Sequence, residues 1–262
     1  MLLQNKNLVI TGVLTDDSIA WHVARVAQEE GAEIVCTGFG RGLRLTERSV
    51  QRLPAPADIL ELDINDPAQV EALTADLDRR WGKVDGALHA IAFAPEDALG
   101  GNFLNTPASS AQTAFITSAF SYKTLAVALR PLLEAAGGGG LVTLDFDNTQ
   151  AWPAYDWMGV AKSALVSVTR YLARDLGSHR IRVNAVSAGP LSTVAAKSIP
   201  GFDAFDRVWQ ERAPLAWDGS DPDPVARMVC VLLSDWAPMT SGEVVHVDGG
   251  FHAVAVGSDE TA

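Results

Sequence analysis

Short apolar segments alternate with segments of helical spacing along almost the whole chain, and this alternation limits the possible folds more than any other feature. Seven segments rich in apolar and β-branched residues are predicted strands: residues 7–12, 33–38, 58–64, 86–92, 140–146, 181–187 and 243–247. Most of them are apolar without interruption, as expected of strands that are buried on both faces of a parallel sheet.

The segments between these strands have the spacing of helices. The predicted helices cover residues 18–30, 66–80, 109–135, 155–176 and 223–234. Asp66 followed by Pro67 is typical of an N-cap and a first helical position. Strand–helix alternation predicts an α/β fold with a doubly wound parallel sheet of the Rossmann type, in three α/β/α layers. The length fits one domain over residues 1–262.

The composition excludes several classes of partner. The 32 Asp and Glu residues exceed the 20 Lys and Arg residues and give a formal net charge of −12, which disfavours nucleic acids and anionic membranes. Cys36 and Cys230 lie in apolar runs without metal-ligand spacing, so we expect buried thiols and no metal. The N-terminal sequence has no charged leader, and no apolar run approaches the roughly 20 residues of a membrane span, so the cytoplasm is the expected compartment.

The turn after the first strand is a candidate phosphate-binding site. Gly12 permits a sharp turn, and the free backbone N–H groups of a helix that begins near Ser18 attract a pyrophosphate. The G-x-G-x-x-G fingerprint is absent, so an ordinary strand-to-helix turn explains this segment equally well. Asp16 and Asp17 would repel a phosphate, and we therefore expect them to point away from it or to cap the helix.

The next two strands end in residues suited to an adenosine. No acid stands at the end of the second strand, where Phe39 could stack on the adenine and where Arg41 and Arg44 follow. Asp63, at the end of the third strand, is placed to accept a hydrogen bond from the adenine amino group, although a turn or capping aspartate is the alternative.

One tyrosine and one lysine have a spacing that points to chemistry. Tyr155 and Lys162 are seven residues apart, which is two turns along one face of a helix. The alternative is a half-buried tyrosine and a surface lysine on an amphipathic helix.

The chain resembles the enoyl-acyl-carrier-protein reductases of the short-chain dehydrogenase/reductase superfamily over nearly its whole length. The Tyr-x6-Lys spacing of Tyr155 and Lys162 separates these reductases from ketoreductases of the superfamily, which have Tyr-x3-Lys. The other motifs that carry the resemblance lie in order along the chain: Gly12-x5-Ser18-Ile19-Ala20, Thr37-Gly38-Phe39, Leu62-Asp63-Ile64, His89-Ala90-Ile91-Ala92-Phe93, Ser163-Ala164-Leu165, Arg182-Val183-Asn184, Ser187-Ala188-Gly189-Pro190-Leu191-x-Thr193, and residues 241–250.

The resemblance implies reduction of a trans-2-enoyl-acyl-carrier-protein, or an enoyl-CoA, to the saturated thioester by NADH in type II fatty-acid synthesis. It implies a catalytic tyrosine at Tyr155, a lysine at Lys162 that holds the nicotinamide ribose, and an aromatic residue at Phe146 beside the thioester. The implied cofactor contacts are Gly12, Ser18, Ile19, Phe39, Asp63, Ile64, Ala90, Lys162, Leu191 and Thr193. The substrate contacts expected with them are Tyr155, Met158, Phe93, Ile199 and Phe202.

The resemblance also implies a homotetramer, an acyl carrier protein as partner, and a substrate-covering loop over about residues 190–214. Four apolar residues of this loop either line a slot for the acyl chain or form the core contacts of a short helix: Ile199, Phe202, Phe205 and Val208. Asp203 and Asp206 make the loop partly acidic, so Lys197, Arg207 or Arg212 would have to meet the acidic carrier protein. Ala92 stands where glycine is common beside the nicotinamide and should narrow the pocket.

Alternative functions remain at this point. A ketoreductase would carry its lysine at position 159, which is Gly159. A non-catalytic dinucleotide sensor need not keep Tyr155 and Lys162, and both are present. Phe39-Gly40 resembles the NADH-using members of the family, which makes NADH the expected cofactor, while Arg41 and Arg44 could receive the 2′-phosphate of NADPH.

Overall fold

The sheet contains seven parallel strands in the order β3-β2-β1-β4-β5-β6-β7. The computed structural model describes residues 1–197 and 199–255. The strands are β1 Asn7–Ile10, β2 Glu33–Gly38, β3 Asp58–Glu61, β4 Gly86–His89, β5 Gly139–Asp145, β6 Ile181–Ala188 and β7 Val244–Val247. The predicted α/β fold with a parallel sheet is confirmed, although β1, β3 and β4 end two or three residues earlier than predicted.

Helices cover both faces of the sheet. They are α1 Ile19–Glu29, α2 Leu43–Val50, α3 Pro67–Trp81, α4 Ala108–Phe115, α5 Ser121–Ala135, α6 Asp156–Leu176, α7 Val194–Lys197, α8 Phe202–Arg212 and α9 Asp223–Leu233. Helices α1 and α9 bury their apolar residues against one face, and α3, α5 and α6 bury theirs against the other. Within the described ranges, no helix combines the length and apolarity that a membrane span requires.

The long helix predicted over residues 109–135 is confirmed, but it is not α-helical throughout. Helix α4 passes into a wider π-helical turn, Ile116–Phe120, before α5 begins. Within this turn the Ser118 hydroxyl accepts a hydrogen bond from the Phe93 N–H at 2.9 Å and donates one to the Phe93 carbonyl oxygen at 3.0 Å. The turn thereby ties the helix to the segment that follows β4.

Two other segments differ from the prediction. Helix α2 was not predicted, and the long segment 190–214 contains α7 and α8 rather than loop alone. The N-terminus of α3 is as predicted, because the Asp66 side chain accepts a hydrogen bond from the Ala68 N–H at 2.9 Å and Pro67 is the first helical residue.

The order of the strands positions the site. Strand β1 lies between β2 and β4, so the chain leaves β1 in one direction to build β2 and β3 and in the other to build β4 to β7. Such a switch point leaves a crevice at the carboxyl ends of the strands, which is where open parallel sheets bind ligands.

Candidate active site

Two adjoining cavities, each of about 600 Å³, lie at the carboxyl ends of the strands. The first, which we call the turn cavity, is bordered by the turn after β1 and the ends of β2 and β3. The second, the slot cavity, is bordered by β5, α6, α7 and α8. The two share five lining residues: Ile19, Ala92, Leu144, Thr193 and Ala195.

The residues singled out from the sequence divide between these cavities. The turn cavity is lined by Gly12, Ser18, Ile19, Phe39, Asp63, Ile64, Ala90 and Thr193. The slot cavity is lined by Phe93, Phe146, Tyr155, Met158, Lys162, Leu191, Ile199 and Phe202, with Ile19 and Thr193 repeated. The expected cofactor and substrate residues are therefore brought together in one continuous region.

The turn at Gly12 is shaped by the neighbouring strand. Gly12 has a φ of +78°, and a Cβ at this position would overlap the Ala90 carbonyl oxygen. The Thr11 hydroxyl accepts a hydrogen bond from the Ala90 N–H and donates one to the Leu88 carbonyl oxygen, both at 2.9 Å. Glycine is thus required by the close approach of two strand ends, a reason that is additional to any ligand.

The two aspartates of this turn have partners of their own. Asp16 forms an ion pair with Arg52, and Asp17 accepts a hydrogen bond from the Thr15 hydroxyl. Ser18 caps α1, because its Oγ accepts a hydrogen bond from the Trp21 N–H at 3.2 Å and donates one to the Thr15 carbonyl oxygen at 2.6 Å. The backbone between Gly12 and Thr15 lines the turn cavity.

The opposite side of the turn cavity carries Phe39 and Asp63. Phe39 is 54% exposed, so its ring is available at the rim. Asp63 makes the turn contact that was the alternative expectation, since its Oδ1 accepts a hydrogen bond from the Asn65 N–H at 3.0 Å. It still lines the cavity. Arg41 also lines the cavity, and the nearby Gly40 N–H donates a hydrogen bond to Glu61 Oε1 at 3.4 Å.

Tyr155 and Lys162 are both buried and line the same cavity, at 6% and 7% exposure. Tyr155 immediately precedes α6, and Lys162 lies two turns into it. The Lys162 ammonium donates a hydrogen bond to the Leu144 carbonyl oxygen at 2.7 Å. Burial lowers the pKa of Lys162, while the nearby Asp145 raises it; burial and the same carboxylate raise the pKa of Tyr155. A phenol with a raised pKa remains a hydrogen-bond donor at neutral pH.

The backbone on either side of Tyr155 is unusual. Ala154 and Asp156 have φ values of +61° and +41°, a region that costs non-glycine residues about 1–3 kcal/mol each. Hydrogen bonds hold this conformation: the Gly100 N–H donates to the Ala154 carbonyl oxygen at 2.9 Å, and the N–H groups of Gly101 and Asn102 donate to Asp156 Oδ2 at 2.7 and 2.9 Å. The segment after β4 thus fixes the phenol, a role that the sequence analysis missed.

Asp145, at the end of β5, is a second missed residue of the slot cavity. Its Oδ2 accepts a hydrogen bond from the Asn148 side chain at 2.7 Å, whereas its buried Oδ1 has no partner among the described residues. Burial raises the pKa of Asp145 to about 7, against the opposing effect of the Lys162 charge. No sequence pattern marked this residue, because its environment is created by β5 and α6 together.

A buried histidine supports the floor between the strand ends. His89, the last residue of β4, has one ring nitrogen 2.9 Å from the Thr143 hydroxyl on β5 and the other 2.8 Å from the Ser121 hydroxyl on α5. Burial, assisted by the charge of Lys162, lowers the pKa of His89 to about 3, so the ring is neutral. It joins β4, β5 and α5 and carries no charge into the cleft.

Comparison with known proteins now identifies the family. A family profile described as "Enoyl-(Acyl carrier protein) reductase" matches residues 12–252. The chain belongs to the enoyl-(acyl carrier protein) reductase family. A relative named enoyl-[acyl-carrier-protein] reductase [NADH] in Mycolicibacterium smegmatis is 45% identical, over 95% of this chain and 97% of its own. One of the same name in Mycobacterium avium is 42% identical over 95% and 97%, and the Bacillus subtilis FabI is 38% identical over 97% and 98%.

In this member of the enoyl reductase family, the segment 190–214 builds one wall of the slot cavity. Ile199, Phe202 and Phe205 line the cavity, as one of the two expectations had it. Val208 instead packs against a cluster formed by Trp209, Ala213 and Phe251, so it is a core contact of α8. Each of the two interpretations of this apolar set therefore applies to part of it.

The charged residues of the same segment of this enoyl reductase family member differ in exposure. Lys197 and Arg207 are exposed, and the Arg212 guanidinium lies over the Phe251 ring, 4.7 Å from its centroid. Asp206 accepts a hydrogen bond from the Gln210 side chain at 2.9 Å. The side chain of Asp203 lies outside the described residues.

Proposed function

We propose that this protein reduces trans-2-enoyl thioesters to saturated acyl thioesters with NADH, in fatty-acid synthesis. The observation that carries the proposal is that Tyr155 and Lys162 are both buried in the wall of the slot cavity, where Lys162 donates a hydrogen bond to the carbonyl oxygen of Leu144, a residue that lines both cavities. The names of the relatives in M. smegmatis, M. avium and B. subtilis, all of them NADH-dependent enoyl-[acyl-carrier-protein] reductases, support the same assignment.

The turn cavity fits a dinucleotide. The turn at Gly12 lines this cavity, and because glycine has no Cβ a ligand can lie close to the backbone there. Backbone N–H groups at the start of α1 suit a pyrophosphate. The exposed Phe39 ring suits the adenine, and Asp63 lies on the same side. The residues that would hold NADH are Gly12, Ser18, Ile19, Phe39, Asp63, Ile64, Ala90, Lys162, Leu191 and Thr193.

When bound, NADH supplies the hydride that adds to the substrate β-carbon. Negative charge then develops on the thioester oxygen, and a hydrogen-bond donor held in a dry site stabilises such charge by on the order of 3 kcal/mol. The Tyr155 hydroxyl is that donor. The enolate then takes up a proton at the α-carbon, which completes the saturated thioester. The Lys162 ammonium, fixed by the Leu144 carbonyl oxygen, holds the nicotinamide ribose and adds positive charge near the developing oxyanion. Phe146 shapes the cavity and transfers no proton.

The slot cavity would receive the acyl chain. Tyr155, Met158, Phe93, Ile199 and Phe202 are its proposed substrate contacts. The segment 190–214 would cover the chain, and the exposed cations Lys197 and Arg207 would meet an acidic carrier protein, with Arg212 beside them. Charge complementarity of this kind speeds the encounter of two proteins.

We also propose that the protein assembles as a homotetramer. Apolar side chains are exposed along the α4–α5 region and on α6, and an interface between subunits would remove them from water. They include Phe115, Phe120, Val127 and Val160, each more than 40% exposed. Light scattering and analytical ultracentrifugation would measure the mass; a monomer at micromolar concentration would rule this assembly out.

Mixing the purified protein with NADH and either crotonyl-CoA or a longer enoyl-CoA, and following the loss of NADH absorbance, tests the activity. Consumption of NADH with formation of the saturated acyl-CoA is expected. Reduction of a 3-ketoacyl thioester but not an enoyl thioester would indicate a ketoreductase instead. Tight binding of NADH without turnover of either substrate would indicate a dinucleotide sensor.

A further inference from the structure

An aromatic cluster stands behind one wall of the slot cavity. Phe146, from the end of β5, and Phe205, from α8, line the cavity, and their ring centroids are 5.9 Å apart. Trp152 is not one of the residues that line the slot cavity, but its ring contacts both of these rings, with centroid distances of 5.8 Å to Phe146 and 5.6 Å to Phe205. The wall is therefore backed by a second layer of side chain.

Two further rings pack against Trp152. Its ring lies 4.8 Å from that of Trp209 and 5.9 Å from that of Phe251, and Trp209 and Phe251 stack on each other at 3.9 Å. Trp209 and Phe251 are 1% and 3% exposed. The Trp209 ring also lies 5.5 Å from that of Phe146, so Trp152 and Trp209 both pack against this part of the wall. Of these two tryptophans, Trp152 is the one whose ring also pairs with Phe205 among the described residues.

Trp152 is held in one orientation. Its indole N–H donates a hydrogen bond to Asp147 Oδ2 at 3.0 Å, and the other oxygen of this buried carboxylate accepts hydrogen bonds from the Thr149 N–H at 3.0 Å and the Thr149 hydroxyl at 2.7 Å. The segment that leads from β5 to Tyr155 thus fixes the indole in place. A tryptophan that is anchored in this way cannot easily turn aside for a longer substrate.

We propose that Trp152 is a specificity-determining residue that sets the maximum acyl length by filling the space behind Phe146 and Phe205. This inference rests on the proposed function, because it concerns the substrate of the same site. In a hydrophobic slot, one methylene group more or less changes kcat/KM by about tenfold or more. A slot with a closed end should therefore show a sharp decline in kcat/KM once the acyl chain exceeds its length.

The test is the profile of kcat/KM against acyl length, from about C4 to about C16 enoyl-CoA, for wild type and three variants. Trp152→Leu removes the indole, and Trp152→Phe keeps one ring in case the leucine variant fails to fold. Trp157→Leu is the matched control, because Trp157 lies on the first turn of α6 but stacks on Phe103 at 5.2 Å, outside the aromatic cluster.

We expect Trp152→Leu to raise the ratio of kcat/KM for C16 over C8 by at least about tenfold, Trp152→Phe to raise it less, and Trp157→Leu to leave it unchanged. A loss of rate that affects both substrates equally cancels in this ratio. Folded Trp152 variants with the wild-type ratio would overturn the inference while leaving the activity intact. If none of the enoyl thioesters supports oxidation of NADH by the wild-type protein, the proposed function itself fails.

Discussion

The ring of Phe146 meets the ring of Tyr155 edge-on, with centroids 5.2 Å apart and planes inclined at 67°. Such aromatic pairs contribute about 0.5–1.5 kcal/mol beyond the burial of their surface. Phe146→Leu should therefore loosen the phenol and lower kcat by roughly tenfold. The pH dependence of kcat should not change, because phenylalanine carries no proton. A shifted pH profile would contradict this steric role, and Phe103→Leu is an aromatic control outside the cavity.

Tyr155→Phe and Lys162→Ala should separate chemistry from cofactor binding. Without the phenolic donor, kcat should fall by about 10²- to 10³-fold, while the Kd for NADH stays near that of wild type. Lys162→Ala should weaken NADH binding by at least about tenfold, because it removes a charged hydrogen-bond donor. Steady-state kinetics together with fluorescence titration of NADH distinguishes the two effects. Full turnover in both variants would refute the assignment.

NADH should be preferred to NADPH. The Glu61 carboxylate accepts a hydrogen bond from the N–H of Gly40, which stands in sequence between two residues that line the turn cavity, Phe39 and Arg41. Repulsion between a nearby carboxylate and the 2′-phosphate of NADPH would cost on the order of 1 kcal/mol. We expect a KM for NADPH about tenfold above that for NADH. Arg41→Ala should raise the KM for NADPH further and leave that for NADH unchanged. A lower KM for NADPH would reverse the assignment.

Turnover should be best with acyl chains of about C8–C12, because the slot cavity has a finite volume. The measurement is kcat/KM for a series of enoyl-CoA substrates. A steady rise in kcat/KM beyond this range would contradict the prediction.

Asp145 should make the stability depend on pH. Burial raises its pKa from 3.8 to about 7, so the native state binds this proton more tightly than the unfolded state does. The stability contributed by the protonated form is complete below the unfolded pKa and is lost as the pH rises toward about 7. Asp145→Asn lacks this loss. The free energy of unfolding of the variant minus that of wild type should therefore rise with pH, by up to about 1.4 kcal/mol per pH unit, until neutral pH, and should be constant above it.

Urea unfolding between roughly pH 5 and pH 8 measures this difference. Asp97→Asn, at an exposed carboxylate, is the control and should follow wild type throughout. A constant difference between wild type and Asp145→Asn over the whole range would contradict the prediction.

Much of the fold follows from local patterns. The seven strands could be predicted because strands buried on both faces are continuous apolar segments in the sequence. The start of α3 could be predicted because Asp66-Pro67 is typical of an N-cap and a first helical residue. The seven-residue spacing predicted Tyr155 and Lys162 on one face of a helix. Tyr155 instead lies just before α6, next to Asp156 with its positive φ, and both side chains still line the slot cavity.

The remaining features depend on contacts between distant segments. The wide turn at residues 116–120 continues the helical pattern, and only the hydrogen bonds of Ser118 to Phe93 distinguish it. The positive φ values of Ala154 and Asp156 depend on backbone groups about fifty residues away. A short helix in the region of α8 was only one of two alternatives, because the same apolar residues suit both a slot and a helix core, and the structure divides them between the two.

The fixed contact between Gly12 and Ala90 separates two kinds of adaptability in this molecule. The dinucleotide half of the crevice is built from strand ends that constrain one another, so few of its residues can change independently. The acyl half is bordered in part by α7 and α8, and the α8 rings pack on Phe146 and Trp152, which follow β5 and take no part in the ladder of hydrogen bonds between strands. New substrate ranges can therefore evolve, or be engineered, in the helical half while the coenzyme half is inherited unaltered.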